Sequence, residues 1–465
     1  MSSKLQTAIL ICVLLVGIIQ TSFSKVYDIA TYGAINDGKT INTKAIQKAI
    51  DDCTTNGGGT VLVSGGGRYV TGTIYLKSFV TLHVDNGTVL QGSTDFDDYT
   101  TDTHHIMYKR ETHMDRVLIY AENAESVAIE GYGVIDGMGA AFKHGRPMLL
   151  RFKDCKRLHL NNIKLLNPAA WTSAWLYCDD ISVSGVTIYS RANKNGDGLD
   201  FDGCTNVRVT NCNFDNSDDS ICLQSSLPDK PCKDVVVSNC IFSTKWGGMR
   251  IGLLSRGNIE SVTVTNCTFK NIKDSGLKIQ QCEGGEMRNM TFTNLVMENV
   301  PRPIFMTFSS QRAAMNYPEG IYEPLKRMHS MIFSNIIVDN TQGDENSCFF
   351  LTGMPDHKIE DITIKDVKFL TAGGGSEELA QKKDLKEYSL DVVKKHWPEF
   401  RLVGPLPSYG IYARHIDGLT LQNISITTVN HDAREPVILD DVVNEDITNI
   451  KANGEVLISK RIRRK

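Results

Sequence analysis

The sequence predicts an all-β protein, a solenoid of stacked parallel coils capped at its front by one helix. Three observations predict it. One phrase recurs, as Thr210-Asn211-Cys212-Asn213-Phe214, Ser238-Asn239-Cys240-Ile241-Phe242 and Thr265-Asn266-Cys267-Thr268-Phe269, with its asparagines 28 and 27 residues apart. Short β-branched runs punctuated by Gly and Asn fill the chain from Thr60 onward. Helical periodicity is strong only once, near the front. A fixed period in this range marks a repeat architecture, in which each unit buries its apolar face against the next.

The elements follow in order. Lys4, then the apolar stretch Ala8 to Ile19, then Ser22-Phe23-Ser24 describe a secretory signal peptide over residues 1–24. Its apolar core is too short for an ordinary membrane span. Val26 to Gly33 reads as a short strand and turn. Ala45, Ile46, Ala49 and Ile50 fall on one helical face, Asn42 or Thr43 supplies the cap, and Gly57-Gly58-Gly59 stops the helix. Strand runs such as Val61-Leu62-Val63 and Val80-Thr81-Leu82-His83-Val84 come next. The repeats then place Asn211, Asn239, Asn266 and Asn294 as a ladder in one turn, with Cys212, Cys240 and Cys267 stacked inward beside it. Two insertions interrupt the coils, over residues 316–327 and 373–397, and the second reads as helical over 376–397. Insertions in a solenoid project as loops and often wall a binding face. The strand pattern resumes at Tyr409 and no linker interrupts it, so residues 25–465 form one domain.

Composition excludes several classes. The chain has 465 residues, 22% charged and 41% hydrophobic, with a net charge of −4. That is a globular profile with no electrostatic footprint for nucleic acid, and the basic tail at residues 460–465 reads as solvated. Once the leader is removed, no membrane association is expected. Of twelve cysteines, Cys12 lies in the leader, which leaves eleven. A secretory route makes some disulfides plausible, and an odd number leaves at least one free thiol. No CxxC pair is present, so a zinc site is not expected, and the sequence calls for no other metal or cofactor. Sequons stand at Asn86, Asn266, Asn289 and Asn423.

The candidate site is the acid- and amide-rich stretch from Asn193 to Asp202, continued by Asp215 to Ser220. No Lys or Arg interleaves from Asn195 to Asn206, so it is not a salt-bridged surface. Asp197 and Asp218 are 21 residues apart, close to one coil, which puts them on one face in adjacent coils about 4.8 Å apart. Three carboxyls gathered there, Asp197, Asp218 and Asp219, cannot all ionise comfortably, and one keeps its proton near neutrality. A protonated carboxyl beside an ionised one is what glycosidic hydrolysis needs. The same residues also fit a set of Asn/Asp turns, or oxygen ligands of a hard cation such as a polysaccharide lyase uses.

Asn195-Gly196-Asp197-Gly198 resembles the Asn-Thr-Asp-Gly motif of glycoside hydrolase family 28, the polygalacturonase-like enzymes, and Asp218-Asp219 resembles their Asp-Asp pair. Tyr32-Gly33-Ala34, Asn36-Asp37-Gly38, Gly57-Gly58-Gly59-Thr60-Val61, Asn167-Pro168 and Trp171 extend the likeness. It implies a right-handed, single-stranded parallel β-helix (the pectin-lyase-like solenoid) and hydrolysis of pectic chains with inversion. It also implies Asp218 as general acid, with Asp197 and Asp219 holding and activating the water. Two departures stand out. The family's Gly-His-Gly corresponds to Trp246-Gly247-Gly248, so Gly247 replaces the histidine, and its Arg-Ile-Lys corresponds to Lys278-Ile279-Gln280. Those basic groups help hold a uronate, so substrate contacts are expected from Lys278, Gln280 and Asn195, with Arg250 supplying a replacement cation. Asp200, Asp202 and Asp215 are expected in turn, solvent or supporting roles. Trp171, Trp175 and Trp246 fit either sugar stacking or core. The implied partner is a poly- or oligosaccharide, met outside the cell or in a periplasm by a monomer.

Overall fold

A computed structural model describes residues 25–103, 115–310, 324–393, 396–457 and 463–464. The leader expected over residues 1–24, the histidines His104, His105 and His113, which the polar sequence around them predicts as exposed loop residues, and most of the 316–327 insertion lie outside these residues.

Three strands per coil stack on the same three strands of the next coil, all in parallel except a terminal hairpin and one isolated bridge among the described residues. On the first face Val207, Val235, Val262, Met290, Met331 and Ile362 pair in register and are all buried. On the second, Phe214, Phe242 and Phe269 stack with ring centroids 5.0 and 4.7 Å apart. On the third, Phe201, Leu223, Ile251, Ile279 and Met306 form the inner column. Each fully buried side chain of this size contributes roughly 1.5–3 kcal/mol, and the columns join into one continuous core.

The asparagine ladder lies between the first two faces. Asn211, Asn239, Asn266 and Asn294 all have φ of 55–56°. That left-handed conformation costs most L-residues about 1–2 kcal/mol, and Asn tolerates it. The amides then bond along the stack: Asn294 Nδ2 donates to Asn266 Oδ1 at 3.1 Å, and Asn335 Nδ2 to Asn294 Oδ1 at 2.7 Å. Cys212, Cys240 and Cys267 point inward as expected, each thiol donating to the carbonyl two residues before it at 3.2 Å.

The helix Thr43–Thr55 covers the first coils, burying Ile46, Ala49, Ile50 and Cys53. Asn42 stands at its N-cap position, but its side chain makes no cap bond. It bonds instead to the backbone N–H and carbonyl of Ile35, at 2.7 and 3.0 Å.

Two expectations are corrected. Residues 376–397 are not one helix: only Glu377–Ala380 and Leu390–Val393 are helical. The segment instead spreads over the outer side of the third face. There Phe305, Phe350, Tyr412 and Ile438 form one outward column, and Tyr388, Val393, Phe400, Val403 and Leu406 pack onto it as a second apolar cluster. Arg414 fastens the strap, donating to the carbonyls of Leu385 and Lys386 at 3.1 Å. The second correction is that all eleven cysteines from Cys53 to Cys348 are free and buried. A long solenoid buries enough apolar surface to need no cross-links.

Removing a disulfide network should therefore have nothing to act on. Melting with and without dithiothreitol should agree to within about a degree, where loss of even one native disulfide would cost several, and thiol titration of unfolded chain 25–465 should return eleven.

Candidate active site

The acids sit where the chain turns into three successive strands of the third face. Asp197 precedes the strand Leu199–Asp202, Asp218 and Asp219 precede Ile221–Ser225, and Gly247 opens Gly247–Ser255. Backbone bonds tie these turns together: Gly198 N–H donates to the Asp219 carbonyl and Ser220 N–H to the Gly247 carbonyl, both at 3.0 Å. The coils approach so closely that a Cβ on Gly198 would meet the Ser220 carbonyl at 2.2 Å, which is why glycine is required. Ser217 locks the turn from one coil to the next, accepting from Gly196 N–H at 3.0 Å and donating to the Asn193 carbonyl.

One carboxylate oxygen each of Asp197, Asp218 and Asp219 lies within 4.8 Å of the others. Asp219 is fully buried: Arg250 Nη1 donates to its Oδ2 and Gly247 N–H to its Oδ1, both at 3.0 Å, while its own backbone N–H donates to Asp218 Oδ1 at 3.0 Å. Burial, reinforced by the neighbouring Asp219, pushes the Asp218 carboxyl up to about 7, against an opposing pull from Arg250. The spacing also suits a hard cation, although Arg250 already sets a positive charge against Asp219.

These groups open into a cavity of about 290 Å³ lined by Asn195, Asp197, Asp218, Arg250, Trp171 and Trp246, and by Gln224 and Cys222 on its floor. Arg146 orients Asn195, donating to its Oδ1 at 3.0 Å. Trp175 is core, stacked on Phe152 with centroids 4.4 Å apart. The strap supplies the rest of the wall, Trp397, Glu399 and Arg401, and Arg250 lies against the Trp397 ring at 5.3 Å. Sequence reasoning missed these three; the only signal was that an insertion in a solenoid tends to wall a site.

Three assignments change. Lys278 is fully buried, with its Nζ 3.0 Å from Asp274, against Glu399, and 4.8 Å over the Trp246 ring. Burial opposes its charge, yet three carboxylates together hold its pKa above the usual lysine value. Gln280 is also fully buried, and its Nε2 donates to the Pro398 carbonyl at 2.7 Å. Neither side chain presents an exposed atom to a sugar; both anchor the strap. Asp200 and Asp202 are not turn residues but lie wholly buried in the strand Leu199–Asp202. Burial pushes Asp202 up to about 6 and Asp200 well above the carboxylate range, with Asp219 and Asp218 adding to the rise at Asp200.

Gly247, at the family's histidine position, has a steric reason. A Cβ there would lie 2.4 Å from Asp219 Oδ1, so the Asp219 carboxylate occupies the space a side chain would need.

A parallel β-helix carrying three close-set carboxyls, one of them held up near neutrality, in a sugar-sized, tryptophan-walled cleft defines a carbohydrate-cleaving enzyme. The profile of Glycosyl hydrolases family 28 matches residues 53–388, and the chain belongs to that family. It is 25% identical over 362 residues to a probable polygalacturonase of Vitis vinifera, covering 72% of each chain. It is 23% identical over 357 residues to an endo-polygalacturonase of Pectobacterium parmentieri, covering 70% of this chain and 83% of the relative. In fold it is similar to an exopolygalacturonase of Thermotoga maritima, with a TM-score of 0.67 at 20% identity over 86% of this chain and 91% of that one. A family 28 exopolygalacturonase of Yersinia enterocolitica gives the same score at 21% identity, over 94% and 79%. The enzyme is thus a glycosidase, which sets aside the lyase and the non-catalytic binding protein.

Gly247→Ala should keep the fold but displace Asp219. A shift of about 1 Å at a reacting group costs on the order of a hundredfold, so kcat should fall by that order while the melting temperature moves little; unchanged kcat would refute the steric account.

Proposed function

We propose that the protein is a secreted, monomeric hydrolase of pectic, uronate-containing polysaccharide, with Asp218 as general acid and Asp197 and Asp219 as the pair that holds and activates water. The observation that carries this is the division of labour between adjacent carboxyls: each accepts a backbone N–H, but Asp218 is pushed up to about 7 while Asp219 takes the Arg250 guanidinium. Asp218 delivers its proton to the glycosidic oxygen as the bond to the anomeric carbon breaks. Water attacks that carbon and passes its proton to the Asp197–Asp219 pair. Inverting pairs usually stand about 6.5–9.5 Å apart. Here the nearest oxygens lie within 4.8 Å, and in this scheme Asp197 and Asp219 together hold the water. Pectic substrate is supported by the polygalacturonases among the relatives and by cations in the cleft. Secretion rests on the leader read in residues 1–24; among the described residues no helix is long and apolar enough to cross a membrane.

Asp218→Asn should lower kcat on polygalacturonate at least about a hundredfold, the usual contribution of a general acid, with the product's anomeric proton appearing first in the inverted configuration by NMR. Retained configuration would overturn the water-activation scheme.

The sign of the pH response follows from the raised carboxyl. Asp218 acts only when protonated, so kcat/KM should hold below about 7 and fall roughly tenfold per pH unit above it. Arg250 opposes the rise, so in Arg250→Gln this limb should move to higher pH; a downward move would show that Asp218 is not the group observed.

A further inference from the structure

A second cavity, also of about 290 Å³, adjoins the catalytic one, and the two share Trp246, Glu399 and Arg401. Its charges do not balance. Of its acids, Glu399 pairs with Lys278, and Asp274 pairs with Lys278 at 3.0 Å and Arg302 at 3.3 Å. That leaves Lys245, Lys273 and Arg401, all exposed and lining the cavity, with no ion-pair partner among the described residues.

Lys245 and Lys273 are the same position in successive coils. Gly247 pairs with Ser275 two residues on, and each lysine N–H bonds at 3.2 Å to a residue of the coil before, Asn216 and Thr244. Two like charges one coil apart, about 4.8 Å along the stack, disfavour each other until an anion lies between them. Arg401 faces them from the strap, and its planar fork suits a carboxylate. Trp246 walls both cavities and offers a face to a sugar ring. The two positions where the family carries cations, Lys278 and Gln280, have meanwhile been withdrawn from the surface.

We propose that this second cavity is a subsite for a uronic acid unit adjoining the sugar held at the acids, its carboxylate read by Lys245, Lys273 and Arg401. The inference rests on the pectic reading above and deepens it. Charge recognition has moved off the Lys278–Gln280 strand onto a turn of two neighbouring coils and onto the strap.

Acid trigalacturonate, its methyl ester, and Lys245→Gln/Lys273→Gln provide the test, read by kinetics and by calorimetry. In the double variant, KM and Kd for the acid trimer should rise about tenfold or more, as for loss of charge-assisted bonds, with a smaller change in kcat. The methyl ester should not distinguish the two proteins, added salt should narrow the gap, and Arg401→Gln should act in the same direction. Lys245→Arg/Lys273→Arg should restore binding. If the acid trimer is bound but not cleaved and the double variant loses binding, the subsite stands and the reaction assignment falls. If it is cleaved with the same KM and Kd by both proteins, the subsite is overturned and the reaction assignment stands. Failure of the parent to bind the acid trimer overturns the subsite.

Discussion

Everything in this molecule depends on in-register stacking of parallel coils. Each position bonds to its equivalent one coil away, so distance along the chain becomes position on a face. Asp197 and Asp219 meet because the strands they precede pair Leu199 with Ile221. The same register runs the outward column of the third face through Asp200, Cys222, Arg250 and Lys278, then Phe305, Phe350 and Tyr412. Its polar half becomes the floor and wall of the site. Its apolar half becomes the seat of the strap that closes over that site.

Burial then does the chemistry. Asp197 stands within reach of Asp218 and Asp219 on one side and of Asp200 on the other, and burial raises the carboxyls of Asp218 and Asp200 above the usual carboxylate range, so these two hold protons that a solvated surface would release. Arg250 breaks the symmetry by setting its guanidinium against Asp219, donating to Oδ2 at 3.0 Å. Lys278 serves a different end. With Asp274 and Glu399 it forms a buried charged cluster, and breaking such a cluster by removing one partner leaves an uncompensated charge. The cluster therefore fixes the strap's position more than it strengthens the fold.

The coils and the acids were legible because repeat period and residue chemistry are local. The asparagine ladder, the inward cysteines and the coil spacing of Asp197 and Asp218 all follow from the spacing of identical residues. The strap was not legible. Gln280 bonds to Pro398, 118 residues away, and no periodicity encodes which face an insertion will cover. The burial of Asp200 and Asp202 was missed for a related reason. Alternation along Leu199–Asp202 puts Leu199 and Phe201 inward and the two acids outward, and outward ordinarily means solvent. Here other parts of the chain lie over them, and Ser226 N–H donates to Asp202 at 2.7 Å. The free thiols were misjudged because a compartment argument stood in for a packing argument.

The capping helix Thr43–Thr55 has a consequence for association. A solenoid has two ends, and each exposes a rung of unpaired backbone that would template another coil from any passing chain. The helix lies over the first rung, and at the far end Glu455–Val456 folds back antiparallel on Asp446–Ala452, against the parallel direction in which growth would proceed. Covered or reversed in this way, these rungs offer fewer open backbone groups for a further parallel strand to pair with.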